Sequence, residues 1–532
     1  MIRKVEIRNY RYFETFSLNL DGGVNIVVGD NDTGKSTLIE AINLALTGRI
    51  AGKSLSQEFS PYIVNQSATR NYIKELNRRK RPIPTPPEVV IELFLKELDE
   101  LEILRGTNNL LGEDACGIRL RGYLSNNFIE EYESFARQPD LVRLAPTEYY
   151  DVEWLGFSGN AITARSVPAT ASVIDASRIR LQSGTDYHLQ EIIRTHLEPR
   201  ERVELSRQYR SLREEFDRRD SVRAVNEKLA GEKGVISDRD FSLSLDISQR
   251  FTWENSLVAH LSDLPFSYVG KGEQNCAKTL LAIGREAKEA QVVLIEEPEN
   301  HLSFSSLGRL VSKIESRCEG KQVIVATHSS FVLNKLGLDK LVLLGSGTPF
   351  RLTSLSRETS DYFKKLSGYD TLRLVLAKRA ILVEGPSDEL IVQRAYLNKH
   401  GRFPIEDGVD VISVRGLSFG RFLDLAVGVG IPVCVVRDND EKSSEEVEEI
   451  YAAYAANQGV SIHVGKDASL PSLEPQIAAI NDLSALNRIL GKQFESHPEM
   501  ADYMKDHKTA VALAIFESPE SIVMPDYICD AI

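Results

Sequence analysis

Four acidic residues in the last third of the chain have the types and spacing for metal chemistry. Glu384 and Asp388 stand in Ile381-Leu-Val-Glu-Gly-Pro-Ser-Asp388, and Asp438 and Asp440 in Pro432-Val-Cys-Val-Val-Arg-Asp438-Asn-Asp440. Each block is an apolar run ending in carboxylates, the pattern of a buried parallel strand that reaches the open edge of its sheet. Carboxylates gathered there repel one another. Hard divalent cations such as Mg²⁺ choose oxygen ligands and relieve that repulsion. Two such ions about 4 Å apart activate a water and stabilise a leaving oxygen in phosphodiester cleavage. This part of the chain is therefore a candidate nuclease.

A second constellation lies near the start. Val24-Asn-Ile-Val-Val28 reads as a short buried strand, and it runs into Gly29-Asp-Asn31-Asp-Thr-Gly34-Lys35-Ser36-Thr37, which fits GxxxxGK[ST] at every fixed position. Leu38 to Leu46 reads as the helix that must follow. The glycines let backbone N–H groups curl around phosphates, and the helix N-terminus adds its positive dipole end. Lys35 is expected to reach the β- and γ-phosphates of ATP and Ser36 to ligate Mg²⁺. With strand and helix both in place, a chance Gly-rich turn is the weaker reading.

The matching parts lie far downstream. Val292-Val-Leu-Ile-Glu296-Glu297 is a strand ending in two carboxylates. By analogy with phosphate-loop sites, Glu296 holds Mg²⁺ and Glu297 polarises the attacking water. His328 ends the apolar strand Val323-Ile-Val-Ala; alone it reads as structural, but in this order it reads as a γ-phosphate sensor. Gly270-Lys-Gly272-Glu-Gln274-Asn opens a helix, a weak signal in isolation that falls where a signature loop would stand.

The totals bound the rest. At 532 residues the chain is too long for one core, so two to four domains are expected. No apolar run has membrane-spanning length. The opening Met1-Ile-Arg-Lys-Val-Glu-Ile-Arg alternates like a strand and lacks a signal-peptide core. Five scattered cysteines without a CxxC pair argue against zinc and against a disulfide framework, and fit a cytoplasmic protein. A net charge of −13 neither advertises nor excludes DNA, because a local basic surface suffices.

The motif order resembles an ABC ATPase of the RecF/SMC kind, and Ile7-Arg-Asn-Tyr-Arg-Tyr-Phe13 resembles the first strand and turn of those heads. ExxxD at Glu384–Asp388 followed by DxD at Asp438–Asp440 resembles a Toprim domain. An ABC ATPase followed by Toprim is the layout of the OLD (overcoming lysogenization defect) nucleases, a family that includes the Gabija nuclease subunit and some retron effectors. Glu-Glu-Pro-Glu-Asn-His at 296–301 looks like that family's Walker B. Ser472-Leu-Glu474-Pro resembles its extra acidic motif, and Lys508-Thr-Ala-Val-Ala-Leu its late Lys-containing helix.

The resemblance implies an α/β fold: ABC ATPase over 1–165, helical dimerisation insert over 166–240, ATPase again over 241–370, and Toprim over 371–532. It implies metal ligation by Glu384, Asp388, Asp438, Asp440 and Glu474, and transition-state stabilisation by Lys508. Its cofactors would be ATP and Mg²⁺, with Mn²⁺ or Ca²⁺ as alternatives. Its partners would be double-stranded DNA, further copies of the chain in a homodimer or higher even-numbered assembly, and a helicase or other companion, in anti-phage defence. The signature loop lacks Ser-Gly-Gly, and neither Gln57 nor Gln66 is singled out as a Q-loop.

Several segments stay open between two readings. Arg78-Arg-Lys-Arg81 is an exposed surface loop or a DNA phosphate contact. Residues 197–216 carry apolar positions at helical spacing (Val203, Tyr209, Leu212, Phe216), as an amphipathic helix that dimerises or packs locally. Phe241-Ser-Leu-Ser-Leu-Asp-Ile alternates like a strand, and Arg415 and Arg421 are expected near the carboxylate edge. Two competitors to the nuclease remain: a DNA-maintenance ATPase whose Toprim part only binds, and a topoisomerase- or primase-like enzyme. The topoisomerase would need a tyrosine nucleophile that none of the eighteen tyrosines declares.

Overall fold

The computed structural model describes the chain except for residues 30–31, 51–52, 79–81, 138–141, 164–170, 176–180, 183–184, 187–196, 232–241, 246–252, 254–257, 259, 284–291, 318–319, 346–348, 352–354, 366–368, 417–418, 441 and 455. Its internal contacts fall into two compact units. One comprises Met1–Thr15, Asn19–Val24 and Ser36–Ala326; the other comprises Phe16–Leu18, Asn25–Lys35 and Thr327–Ile532.

The first unit contains an antiparallel sheet in which Ile2–Tyr10 pairs with Val89–Leu95, that strand with Ala115–Leu124, and that in turn with Tyr150–Gly156. Val89–Leu95 is buried at every position. Glu92 lies in its middle, fully shielded, with both oxygens on the Leu110 N–H and Arg119 Nε 3.5 Å away. The unit also carries a parallel trio, Ala171–Asp175, Val292–Glu296 and Gln322–Ala326, in register so that Glu296 stands opposite Ala326. Such continuous apolar strands suit a parallel sheet covered on both faces.

The amphipathic segment forms the helix Pro199–Arg218, with proline at its first turn, followed by Asp220–Gly231. Leu212 and Phe216 are exposed on it. The strand expected at 241–247 is not formed over the described residues 242–245. Leu243 instead exchanges hydrogen bonds with the Asn226 side chain, and the Leu245 N–H donates to Asp217. Helix side chains thus satisfy a backbone that sheet neighbours would otherwise claim.

In the second unit the strand Val24–Gly29 runs parallel to Leu341–Leu344, which pairs antiparallel with Phe350–Arg351. Further along, four parallel strands stand in the order Val409–Ser413, Arg379–Val383, Val433–Arg437, Val460–Val464. Ile381, Val383, Val411, Cys434 and Val436 enter one core with residues from the helices Pro386–His400, Leu473–Ile480, Lys508–Glu517 and Asp526–Ala531. The alternate residues Leu382, Ile412 and Val435 are equally buried, so the sheet is covered on its other face too. Burial of each such side chain stabilises by about 1.5–3 kcal/mol. The consequence for function is a rigid platform whose strand ends carry the acidic blocks.

Candidate active sites

The phosphate loop bends as its glycines require. Gly34 has φ +94°, and a Cβ on Gly29 would lie 2.5 Å from the Leu344 carbonyl oxygen. Lys35 opens the helix Lys35–Thr47, is buried, and donates to the Gly29 carbonyl at 2.9 Å. Asn31 lies outside the described residues. Ser36 is exposed and its hydroxyl donates to Glu296, while Thr37 follows half-buried in the helix. The two residues expected to share Mg²⁺ are thus in contact.

Glu297 takes φ +46°, a conformation that non-glycine residues seldom adopt, and its N–H donates to the Ala326 carbonyl. Gly272 sits in the first turn of the helix Lys271–Ile283; a Cβ there would lie 2.3 Å from the His301 carbonyl oxygen. Asn275 on the same helix donates to the carbonyls of Pro298 and Asn300. The signature segment is therefore tied to the Glu296–His301 loop of its own chain. His328 lies half-buried just past the strand Gln322–Ala326, as the sequence order requires.

The C-terminal carboxylates occupy the ends of adjacent strands. Glu384 follows Arg379–Val383, and its carbonyl receives the Gly416 N–H. Asp388 lies in the first turn of Pro386–His400 and accepts from the Gly385 N–H at 2.9 Å, a placement the helix dipole favours. Asp438 and Asp440 follow Val433–Arg437. Asp438 is held from two sides, by the Leu473 N–H at 3.1 Å and by the Tyr527 hydroxyl at 3.3 Å. Glu474 is buried on the helix Leu473–Ile480, with Lys508 Nζ 3.3 Å from its Oε1 and no hydrogen-bond partner for its Oε2.

The electrostatics bind these residues into one cluster. Burial, then the repulsion of Asp388 and Glu474, pushes the Asp438 carboxyl up to about 7. Burial likewise lifts Asp388 to about 6, against the pull of the Gly385 N–H and with repulsion from Glu384 and Glu474. Glu384 is raised by burial and by Asp440. Burial draws Lys508 down, but Glu474, Asp438 and Asp388 outweigh it and the net shift is upward.

Magnitudes show what the cluster lacks. A buried acceptor without a partner costs about 1–3 kcal/mol, and more when charged. The half-exposed Lys508–Glu474 pair returns about 0–1 kcal/mol. The donor set, all hard oxygen and rich in unbalanced negative charge, fits a divalent cation. Among the described residues, however, no three His, Cys, Asp or Glu side chains already converge on a point that would hold one.

Two expectations need amendment. Arg415 does lie at the carboxylate edge, beside the Gly416–Glu384 contact, but Arg421 instead stacks on the Tyr362 ring at 4.2 Å. Of the basic run only Arg78 is described, where it ends the helix Gln66–Asn77. Arg437 and Tyr527 also touch the cluster, through Asp440 and Asp438. An arginine closing an apolar strand was a signal for the first; nothing local marks the second.

Comparison with known families agrees with this division. Residues 4–112 match the AAA-domain family, and residues 172–334 match a second AAA-domain family, one described with a Type IV TA system. The chain is thus a phosphate-loop ATPase joined to a Toprim domain. Residues 375–440, which include Glu384, Asp388, Asp438 and Asp440, match the overcoming lysogenization defect protein-like TOPRIM domain. Together the three matches support an ATPase–Toprim protein of the OLD kind.

Among solved structures the chain is similar to an Smc head bound to the C-winged helix domain of ScpA. That likeness has a TM-score of 0.34 and 16% identity, and covers 67% of this chain and 98% of that one. It is also similar to the SMC head domain from Thermotoga maritima (TM-score 0.31, 12% identity, 66% and 98% covered). A RecF–ATP structure is a third (0.33, 10%, 66% and 99%). No curated protein matches. Among the described residues no helix is long and apolar enough to cross a membrane.

Proposed function

We propose that the chain is an ATP-regulated, divalent-metal-dependent DNA endonuclease. The observation that carries this reading is one group of carboxylates in the Toprim part: Glu384 and Asp438 just past the parallel strands Arg379–Val383 and Val433–Arg437, Asp388 and Glu474 in the first turns of the helices Pro386–His400 and Leu473–Ile480, and Lys508 3.3 Å from Glu474. Mg²⁺ or Mn²⁺, when bound by these carboxylates and Asp440, would supply charge stabilisation and an activated water for phosphodiester hydrolysis. The protein's own contribution is orientation. The Gly385 N–H aims Asp388, the Leu473 N–H and Tyr527 hydroxyl aim Asp438, and Lys508 places a positive charge where negative charge develops on the phosphate.

ATP serves as a switch, since hydrolysis assisted by metal needs no energy from it. Gly29, Gly34, Lys35, Ser36 and Thr37 would hold its phosphates, Ser36 and Glu296 would hold its Mg²⁺, Glu297 would orient the attacking water, and His328 would sense the γ-phosphate. The motif order is that of ABC-type heads, in which the signature segment around Gly272 completes the site of a second subunit. A homodimer follows from that reading, with the helical insert as a contact. Double-stranded DNA is the substrate class, and defence against foreign DNA is the setting that the family match suggests.

One observation favours a second reading. Because no three carboxylates converge as placed among the described residues, a DNA-maintenance ATPase with a non-cleaving Toprim part also fits. Asp438→Ala separates the two. The nuclease reading predicts loss of DNA cleavage by at least about a hundredfold with ATP hydrolysis within twofold of wild type. Equal loss of both activities, or none of either, counts against it.

A further inference from the structure

The structure assigns Arg437 as a positioning residue that presets the Asp438–Asp440 loop for a divalent cation. This rests on the metal reading above and extends it to a cationic side chain that cannot itself ligate the metal.

Arg437 is the last residue of the strand Val433–Arg437 and only 4% exposed. A buried guanidinium is expensive unless each N–H finds a partner. Here each of its three nitrogens donates a hydrogen bond. Nε donates to the Asp438 carbonyl at 3.1 Å, Nη1 to the Tyr451 hydroxyl at 3.0 Å, and Nη2 to Asp440 Oδ2 at 2.5 Å. The planar group thereby spans the loop from its first residue to its third, and the Phe419 ring lies 5.9 Å from its centre.

What the guanidinium holds is an unfavourable shape. Asp440 has φ +51°, a left-handed conformation that a non-glycine residue keeps only when its surroundings impose it. The Asp440 N–H is fixed to the Pro471 carbonyl, and the buried Asn439 between the two aspartates donates to the carbonyls of Gly465 and Asp467. The loop is therefore pinned by contacts to the carbonyls of Gly465, Asp467 and Pro471 and by one arginine. Asp440 keeps its other oxygen and an exposed position. Lysine cannot reproduce this, because an ammonium is a single point rather than a fork that reaches two acceptors and a hydroxyl at once.

The test is Mn²⁺ binding to the full-length chain without nucleotide, followed by titration calorimetry, with ATP affinity and unfolding midpoint as controls. Two variants are compared with wild type. Arg437→Lys keeps the charge and loses the fork. Tyr451→Phe leaves every carboxylate untouched and frees one arm of the guanidinium. Outer-shell partners of metal ligands typically set affinity by 10–100-fold. The expected result is weakening of about tenfold or more in Arg437→Lys and several-fold in Tyr451→Phe, with ATP affinity unchanged.

Mn²⁺ affinities within twofold of wild type in both variants overturn the assignment. If Arg437→Lys does not fold, Tyr451→Phe decides alone on the same criterion. Asp438→Ala separates this failure from failure of the metal reading. Wild-type binding that survives Asp438→Ala, or no binding by wild type, sinks the metal reading and this inference with it. Binding lost in Asp438→Ala but untouched in the two other variants sinks only the role of Arg437.

Discussion

Lys508 and Glu474 meet at the proposed cleavage site, 3.3 Å apart. Glu474 is buried with one oxygen lacking a hydrogen-bond partner, and Lys508, half exposed, faces the other. For stability that pair is nearly neutral; its use lies in the charge it keeps beside the carboxylates. Lys508→Met should lower cleavage by about 10²–10³-fold, the usual effect of removing one electrostatic donor. Mn²⁺ affinity should not weaken, since a competing cation is gone. A variant that cuts at the wild-type rate, or that loses metal, would contradict this role. In the same way Lys35→Ala should abolish ATP binding, read by nucleotide titration, while leaving Mn²⁺ binding to the Toprim carboxylates intact.

The helices and strands that hold these residues make their own predictions. The helix Lys271–Ile283 approaches the Glu296–His301 loop so closely that a Cβ at Gly272 would overlap the His301 carbonyl. Gly272→Ala must therefore displace one of them. ATP hydrolysis should fall at least about tenfold with nucleotide-free Mn²⁺ affinity unchanged; unaltered ATP hydrolysis would mean that the approach is not needed.

In the antiparallel sheet, burial lifts the Glu92 carboxyl from 4.5 to about 7, against the pull of the Leu110 N–H and Arg119. Below pH 4.5 it is protonated in both folded and unfolded chain. Between 4.5 and 7 only the unfolded chain releases the proton, so stability falls as pH rises, by roughly 3 kcal/mol in all, and is then level. Glu92→Gln removes that slope. The gap in unfolding midpoint between variant and wild type should open between pH 4.5 and 7, and a gap independent of pH would contradict the burial argument.

At the scale of the whole molecule, what could be read from the sequence was whatever is continuous in it. The phosphate loop, the strand Val292–Glu296 and both acidic blocks each combine an apolar run with its chemistry within about ten residues, and the structure forms a strand or helix at each. Glu474 and Lys508 were legible only through family resemblance, because a glutamate before proline and a helix-borne lysine are locally unremarkable. Tyr527 reaches Asp438 across 89 residues of chain, a contact that only tertiary packing creates. The alternation at 241–247 misled because side chains of Asn226 and Asp217, not a neighbouring strand, satisfy the described part of that backbone.

In the proposed function the Toprim carboxylates cut DNA with a divalent ion and the ATPase regulates them. Incubation of the full-length protein with supercoiled plasmid, Mg²⁺ or Mn²⁺, and ATP from zero to millimolar tests it most directly. The expected outcome is nicked or linear product that vanishes with EDTA and in Asp438→Ala, and whose yield changes with ATP. Plasmid that stays supercoiled in every lane while the same preparation hydrolyses ATP would contradict it.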